Sequence, residues 1–176
     1  MDYLTKPTTR SQLRFFAVVF RFLFAEMDFS SPFPVLYALE KLPDVFRGSY
    51  YVVLEDDKFP SNVAARCIPD GSGNFVIEIK ESVYRGAREK KIGAYLGHIC
   101  HELCHVFLFK LGFTPITERS FGSNEIPAYE SVEWQAKAMC GEVMMPYEET
   151  KGMSCEEIIR TYNVSKSFAN YRQRYK

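Results

Sequence analysis

The sequence predicts an α+β fold, with a small three-stranded antiparallel sheet packed on a buried helix and surrounded by further helices. Short segments rich in β-branched and aromatic residues lie between two regions of helical periodicity. A length of 176 residues favours a single domain. We divide it into N-terminal helices (1–44), the sheet with the central helices (45–153) and a helical tail (154–176).

The N-terminal region contains two predicted helices, one over residues 9–27 and a short one from Ser31-Pro32 to about Lys41. Arginines interrupt the apolar run of the first helix, which is shorter than the roughly 20 residues that span a bilayer. Helical spacing places three of its basic residues on one face: Arg10, Arg14 and Arg21. We expect a surface helix whose phenylalanine-rich side faces the core, and the alternative is a helix lying on a membrane surface.

Three strands are predicted next, over residues 50–55, 63–68 and 74–80. The sequence Asp70-Gly71-Ser72-Gly73 is typical of a hairpin turn between the last two strands. We therefore expect an antiparallel sheet.

The second half of the chain is predicted to be helical. Residues 91–111 are apolar on nearly all sides, which is typical of a buried central helix. A further helix over 128–145 ends before Pro146. Ser154 and Glu157 form a capping-box pattern that begins the first of two short tail helices.

The composition narrows the class of protein. The 22 basic and 22 acidic residues balance, whereas nucleic-acid binders usually carry a basic surplus, so we expect no direct nucleic-acid partner. The basic tail could suggest a helix-turn-helix, but it is too short for an independent three-helix module, and we expect a packed structural tail. Five cysteines without a CxxC pair favour reduced thiols and a cytoplasmic location.

All three histidines lie in one eight-residue stretch of the chain, residues 98–105, inside the predicted buried helix. His101-Glu102-Leu103-Cys104-His105 is an HExxH motif, in which residues i and i+4 project from one face and can reach one metal ion. Glu102 can then act as general base on a metal-bound water. The alternative is a pair of core histidines that hydrogen bond to other groups. A buried helix bearing these polar side chains favours the metal.

We expect the other histidine and the two cysteines of this helix not to bind the metal ion. His98 is too far from His105 along a straight helix to share one ion with both histidines, so we expect it to pack beside the site. Cys100 and Cys104, also spaced i and i+4, could form a thiolate site, but small buried cysteines are the more common case.

A catalytic zinc usually has three protein ligands, so one more residue is required. No histidine follows His105 and no aspartate follows Asp70, which leaves a glutamate for any downstream ligand. Helical spacing over 128–145 places Glu133 nearest the apolar face, by a modest margin over Glu142. The candidates remain Glu118, Glu125, Glu130, Glu133, Glu142, Glu148, Glu149, Glu156 and Glu157.

The HExxH motif, followed by Glu133-Trp134-Gln135-Ala136 and by a helix end reading Gly-Glu-Val-Met-Met-Pro at 141–146, resembles the ImmA/IrrE metallopeptidase family. Members of that family carry HExxH and then a helix reading approximately E-x-x-A-(N/D)-x-F-A-x-x-(L/M)-(L/M)-M-P. The tail around Tyr162-Asn163-Val164-Ser165 is also similar to the family. The resemblance covers about residues 45–176.

The resemblance implies a zincin-like fold of the gluzincin type, with Zn²⁺ held by His101, His105 and Glu133. It implies that Glu102 takes a proton from a zinc-bound water as that water attacks a peptide carbonyl. The expected function is that of a cytoplasmic zinc-dependent endopeptidase in regulatory proteolysis. Its expected substrate is a protein, such as a helix-turn-helix repressor, in the setting of mobile genetic elements. The alternative is a non-proteolytic, zinc-containing regulatory or protein-binding module.

Two further expectations concern the substrate. The strand at 74–80, just before the HExxH helix, is our candidate for an exposed edge that pairs with an extended peptide. The oxyanion could be stabilised by Tyr129, Tyr147 or Arg119, among which the sequence does not choose.

Overall fold

The computed structural model describes residues 2–25, 28–116 and 126–174. Its fold is α+β, as predicted. The helices are α1 (Arg10–Phe24), α2 (Val35–Val45), α3 (Glu81–Glu89), α4 (Gly93–Lys110), α5 (Val132–Met144), α6 (Tyr147–Thr150), α7 (Cys155–Tyr162) and α8 (Lys166–Arg174). The strands are β1 (Tyr50–Leu54), β2 (Ala65–Pro69) and β3 (Phe75–Lys80).

The sheet is mixed, so the prediction of an antiparallel sheet was wrong. Its order is β1-β3-β2, with β1 parallel and β2 antiparallel to β3. The hairpin at 70–73 forms as expected and returns β3 between the two earlier strands. Ile77 and Ile79 of β3 are fully buried. The central position suits these apolar residues because a strand lies on each side of β3. β3 is therefore not the exposed edge that we expected, and β2 is an edge strand.

α4 is the central helix, as its all-round apolar character predicted. It contacts α2, α3 and α5 and the strands β2 and β3. It begins at Gly93, where a Cβ would collide with the carbonyl oxygen of Asn163 in the turn between α7 and α8. Asn163 also donates a hydrogen bond from its side chain to the Lys91 carbonyl oxygen. The helical tail is thus attached to the start of the HExxH helix.

The orientation of α1 agrees with our expectation only in part. Phe20 and Phe24 face the core as expected, but Arg21 is buried with them, while Phe15 and Phe22 are 64% and 68% exposed. The reason is a set of internal partners that the local sequence does not show. Arg21, for example, is buried and donates a hydrogen bond to the Val143 carbonyl oxygen on α5.

Other boundaries were also mispredicted. α2 begins at Val35 rather than at Ser31-Pro32. α3 was not predicted, although Glu81–Glu89 is a strongly amphipathic helix. The helix predicted from residue 128 begins as a 3₁₀ turn, and α5 proper starts after Ser131, whose side chain accepts a hydrogen bond from the Trp134 N–H. The capping box of α7 forms as predicted, with Ser154 and Glu157 bonded reciprocally.

A buried ion pair joins both ends of the described chain to α5. Arg172 of α8 and Glu142 of α5 are each 3% exposed at the side chain, and their two hydrogen bonds measure 3.0 and 2.6 Å. Arg14 of α1 adds a bond of 3.3 Å to the same carboxylate. A bidentate pair of this kind fixes the mutual orientation of the three helices.

Among the described residues, no single helix has both the length and the apolar character required to cross a membrane. α3 and α4 meet those criteria only when taken together, and they are bent by 117° relative to each other.

Candidate metal centre

The structure brings together three of the residues that the sequence singled out as metal ligands. His101 and His105 project from one face of α4, and Glu133 lies in the first turn of α5. The two Nε2 atoms of the histidines are 3.0 Å apart. Glu133 Oε2 is 3.2 Å from His101 Nε2, and Glu133 Oε1 is 3.5 Å from His105 Nε2.

These separations suit a single zinc ion. Zinc binds nitrogen and oxygen ligands at about 2.0–2.1 Å in tetrahedral geometry, which places two ligand atoms about 3.3 Å apart. The three measured distances, 3.0, 3.2 and 3.5 Å, bracket that value. Two imidazole nitrogens and one carboxylate are also a donor set found in catalytic zinc sites.

The environment of the three ligands differs from one to the next. His105 is nearly buried, while the Glu133 side chain is 50% exposed. Hydrogen bonds with His101 and His105 hold the pKa of Glu133 well below its usual range, so it is a carboxylate. His105 Nδ1 is buried and has no hydrogen-bond partner among the described residues. Its ring lies 5.4 Å from that of Phe109, which packs against it.

Asp2 fixes the start of the helix that carries Glu133. Its carboxylate accepts hydrogen bonds from the Ser131 hydroxyl at 2.6 Å and from the Glu133 N–H at 3.1 Å. The extended N-terminal segment continues this contact, since the Thr5 N–H donates to the Glu130 carbonyl oxygen. A carboxylate at a helix N-terminus is favourable because it neutralises unpaired N–H groups and the helix dipole.

Glu102 lies between α4 and the edge strand β2. Its carboxylate accepts a hydrogen bond from the Cys67 N–H of β2. Burial raises the pKa of Glu102 to about 7, and the nearby Glu133 adds to this rise, while His101 opposes it. A carboxyl group with a pKa near neutrality can both accept and release a proton.

Some of the alternative residues have other partners, and some lie outside the described residues. Glu142, the nearest rival to Glu133, is paired with Arg172. Tyr147, a candidate for the oxyanion, packs its ring 3.7 Å from the guanidinium of Arg14, which also bonds to Glu142. Three candidates, Glu118, Glu125 and Arg119, lie outside the described residues.

A cavity of about 630 Å³ adjoins the centre. His98 and His101 line it from α4, Lys137 and Cys140 from α5, and Tyr171 from α8. His98 therefore lies beside the metal centre, as expected. Burial, with a contribution from His101, lowers the pKa of His98.

Three thiols lie on the same two helices. The Sγ atoms of Cys100, Cys104 and Cys140 are all within 4.8 Å of one another, and all three residues are buried. Burial opposes ionisation of Cys100, but hydrogen bonds with Cys104 and Cys140 outweigh it and lower the pKa of Cys100 to about 5. The pKa values of the other two thiols are raised.

Sequence reasoning missed two residues that position the site. Asp2 holds the start of α5 through a contact across 131 residues, for which the sequence carries no local signal. Cys67 supplies the backbone N–H that holds Glu102, and only the correct strand order would have placed it there. The higher apolar content of β3 was the available signal that β2 forms the edge.

A comparison with known proteins identifies the family of this chain. The sequence profile of the M78 peptidases, described as the IrrE N-terminal-like domain, matches residues 62–174. The match begins just before β2 and ends with α8, so it includes the HExxH helix, Glu133 and the helical tail. No curated protein matches the chain closely enough to count as a relative. Because the profile covers more than half of the chain, the protein belongs to the M78, or ImmA/IrrE, family of peptidases.

Proposed function

We propose that this protein is a zinc-dependent endopeptidase that cleaves a regulatory protein, such as a transcriptional repressor. The observation that carries the proposal is the convergence of His101, His105 and Glu133 on one point, with Glu102 beside it. Membership of a peptidase family supports hydrolysis of a peptide bond. The choice of a repressor rests on the resemblance to ImmA/IrrE peptidases.

The residues of the chain supply distinct parts of the reaction. Bound zinc would polarise the scissile carbonyl and acidify the attacking water. Glu102 accepts the proton of that water and then delivers it to the leaving amide nitrogen. The Cys67 N–H holds the carboxylate in place between these two transfers.

The edge strand β2 is the surface on which we place an extended substrate. The Lys80 N–H donates a hydrogen bond to the Ala64 carbonyl oxygen, so these two residues form a hydrogen-bonded pair. Such pairs recur at every second residue of an antiparallel ladder, which puts Arg66 and Ile68 in hydrogen-bonded pairs with β3 as well. The backbone groups of Ala65 and Cys67 therefore face away from β3. A peptide can add to this edge by strand pairing, which brings its backbone beside Glu102.

The decisive experiment separates zinc binding from cleavage. Glu102→Gln removes the base and keeps the shape, so it should retain about one zinc per chain. Its cleavage of a co-expressed candidate repressor should fall by about 10²–10⁴-fold. Zinc is measured by mass spectrometry and cleavage by the appearance of fragments, with Glu148→Ala, at an exposed position on α6, as the matched control.

Two outcomes would contradict the proposal. Wild-type protein without zinc would exclude the metal centre. Zinc-loaded wild type that leaves every neighbouring regulator intact would favour the alternative of a zinc-containing, non-proteolytic regulatory module.

A further inference from the structure

The three buried thiols form a second set of converging ligand atoms, distinct from the histidines and Glu133. Cys100 and Cys104 each precede one of the motif histidines and lie one turn apart on α4, and Cys140 faces them from α5. Their Sγ atoms are within 4.8 Å of one another. None of the three thiols forms a disulfide, and the proposed peptidase mechanism assigns no role to them.

The separation suits a single thiolate-bound ion. With metal–sulfur bonds of about 2.3 Å, three sulfur atoms in a plane around one ion lie about 4.0 Å apart. Sulfur atoms that all lie within 4.8 Å of one another are compatible with this geometry. Thiolates select soft ions, among them Cu(I) and zinc. Structural zinc takes four ligands, whereas this cluster offers three within the described chain, and three-coordinate sulfur suits Cu(I) better.

A buried positive charge accompanies the cluster. Arg21 is 1% exposed, and its Nε has no hydrogen-bond partner among the described residues. Its guanidinium donates to the carbonyl oxygens of Val143 and Asp28, and it interacts electrostatically with Cys100, Tyr162 and the Asp28 carboxylate. A buried charge is costly unless an opposite charge offsets it. Cu(I) held by two thiolates and one thiol carries a net charge of −1, which is the sign of charge that a neighbouring arginine stabilises.

The cluster can also be reached from the surface. Cys140 lines the cavity of about 630 Å³ together with Gly97 and Lys137. Its thiol contacts the Gly97 carbonyl oxygen at 3.6 Å, at the wall of that cavity. An ion entering there meets Cys140 first and then the two cysteines of α4.

We propose that Cys100, Cys104 and Cys140 form a second metal site that binds one Cu(I) ion between α4 and α5, separate from the zinc centre. Binding forms three Cu–S bonds, with two of the three sulfur atoms bound as thiolates, and any proton that these two still carry passes to solvent. Copper enters and stays as Cu(I), so no oxidant or reductant takes part.

The test is an anaerobic titration of the full chain with Cu(I), in competition with bathocuproine disulfonate, whose copper complex is coloured. Wild type should withdraw one Cu(I) per chain from the chelator. Cys140→Ser should weaken binding at least tenfold. Cys155→Ser is the matched control, because Cys155 lies outside the cluster and bonds to Asn170, and it should bind as wild type does. His101→Ala should also bind as wild type does.

X-ray absorption at the copper edge tests the same site without any substitution, which guards against a variant that fails to fold. The proposal requires a first shell of sulfur atoms alone. Nitrogen ligands would place copper at the histidines and overturn it. It would also be overturned by the absence of binding against the chelator, by an equal loss in Cys140→Ser and Cys155→Ser, or by release of the copper when one equivalent of zinc is added.

Discussion

At the scale of single residues, helix geometry explains why part of the site was predictable. The i and i+4 spacing of His101 and His105 fixes their common face whatever the rest of the fold does. Glu133 was harder, because helical spacing alone ranked it only slightly ahead of Glu142. The distinction came from Arg172, which pairs with Glu142 from 30 residues away and leaves Glu133 as the carboxylate beside the histidines.

A substitution at Glu133 tests this ranking. Glu133→Ala removes one of the three proposed ligands, so zinc content after dialysis should fall from about one ion per chain to well below half. Glu130→Ala, three residues earlier and outside the ligand set, should keep the wild-type content. Inductively coupled plasma mass spectrometry measures both. Equal zinc retention in the two variants would mean that another residue supplies the third ligand.

At the scale of elements, local patterns predicted most helices and all three strands but not the order of the strands. The hairpin at 70–73 is a local signal, whereas the parallel pairing of β1 with β3 depends on the path of the chain through residues 55–64. The inward position of the α1 arginines was missed for a similar reason. Their partners lie on α5 and α8 and are distant in sequence.

The start of α4 gives a prediction with an internal control. Gly93→Ala should lower the free energy of unfolding by about 1–3 kcal/mol, because its Cβ meets the backbone at Asn163 rather than a flexible side chain. Gly97→Ala, one turn later in α4, has no atom within 4 Å of the added Cβ and should gain up to about 1 kcal/mol from helix propensity. Urea denaturation measures both. Equal effects would show that the tail does not press on α4 at this point.

The edge strand gives another prediction. Ala65→Pro removes one outward-facing N–H of β2 and leaves the pairing with β3 intact. If substrate pairs with this edge, KM should rise by about 2–10-fold, which corresponds to one hydrogen bond, with little change in kcat. Steady-state cleavage of the identified substrate measures this, and thermal unfolding checks the fold. An unchanged KM would place the substrate elsewhere.

At the scale of the whole molecule, the ion pair of Arg172 and Glu142 connects the tail to the helix that bears Glu133. The sequence reveals neither the burial of this ion pair nor the identity of its two residues, because Arg172 is one of several basic residues in the tail. The tail is packed, as we expected. The reason is this buried pair together with the attachment of Asn163 to the start of α4.

Breaking the pair should destabilise the whole fold. Arg172→Ala leaves the Glu142 carboxylate buried without its main partner and should lower the free energy of unfolding by about 3–5 kcal/mol. Arg85→Ala removes an exposed partner of Glu81 and Glu89 on α3 and should change it by less than about 0.5 kcal/mol. Chemical denaturation compares the two. Similar values would mean that Arg10 and Arg14 compensate the charge of Glu142 without Arg172.

The composition of β2 has a consequence for selectivity. Pro69 has no N–H to offer, and the N–H of Cys67 is already given to Glu102. A bound backbone is left with the N–H of Ala65 and the carbonyl groups of Ala65, Cys67 and Pro69, each contributing about 0.5–1.5 kcal/mol. At about 1 kcal/mol for each bond, their sum corresponds to millimolar affinity, so this edge alone binds an unfolded chain weakly. If a substrate binds here, selection of one target requires contacts beyond this strand edge, either with its side chains or with its folded surface.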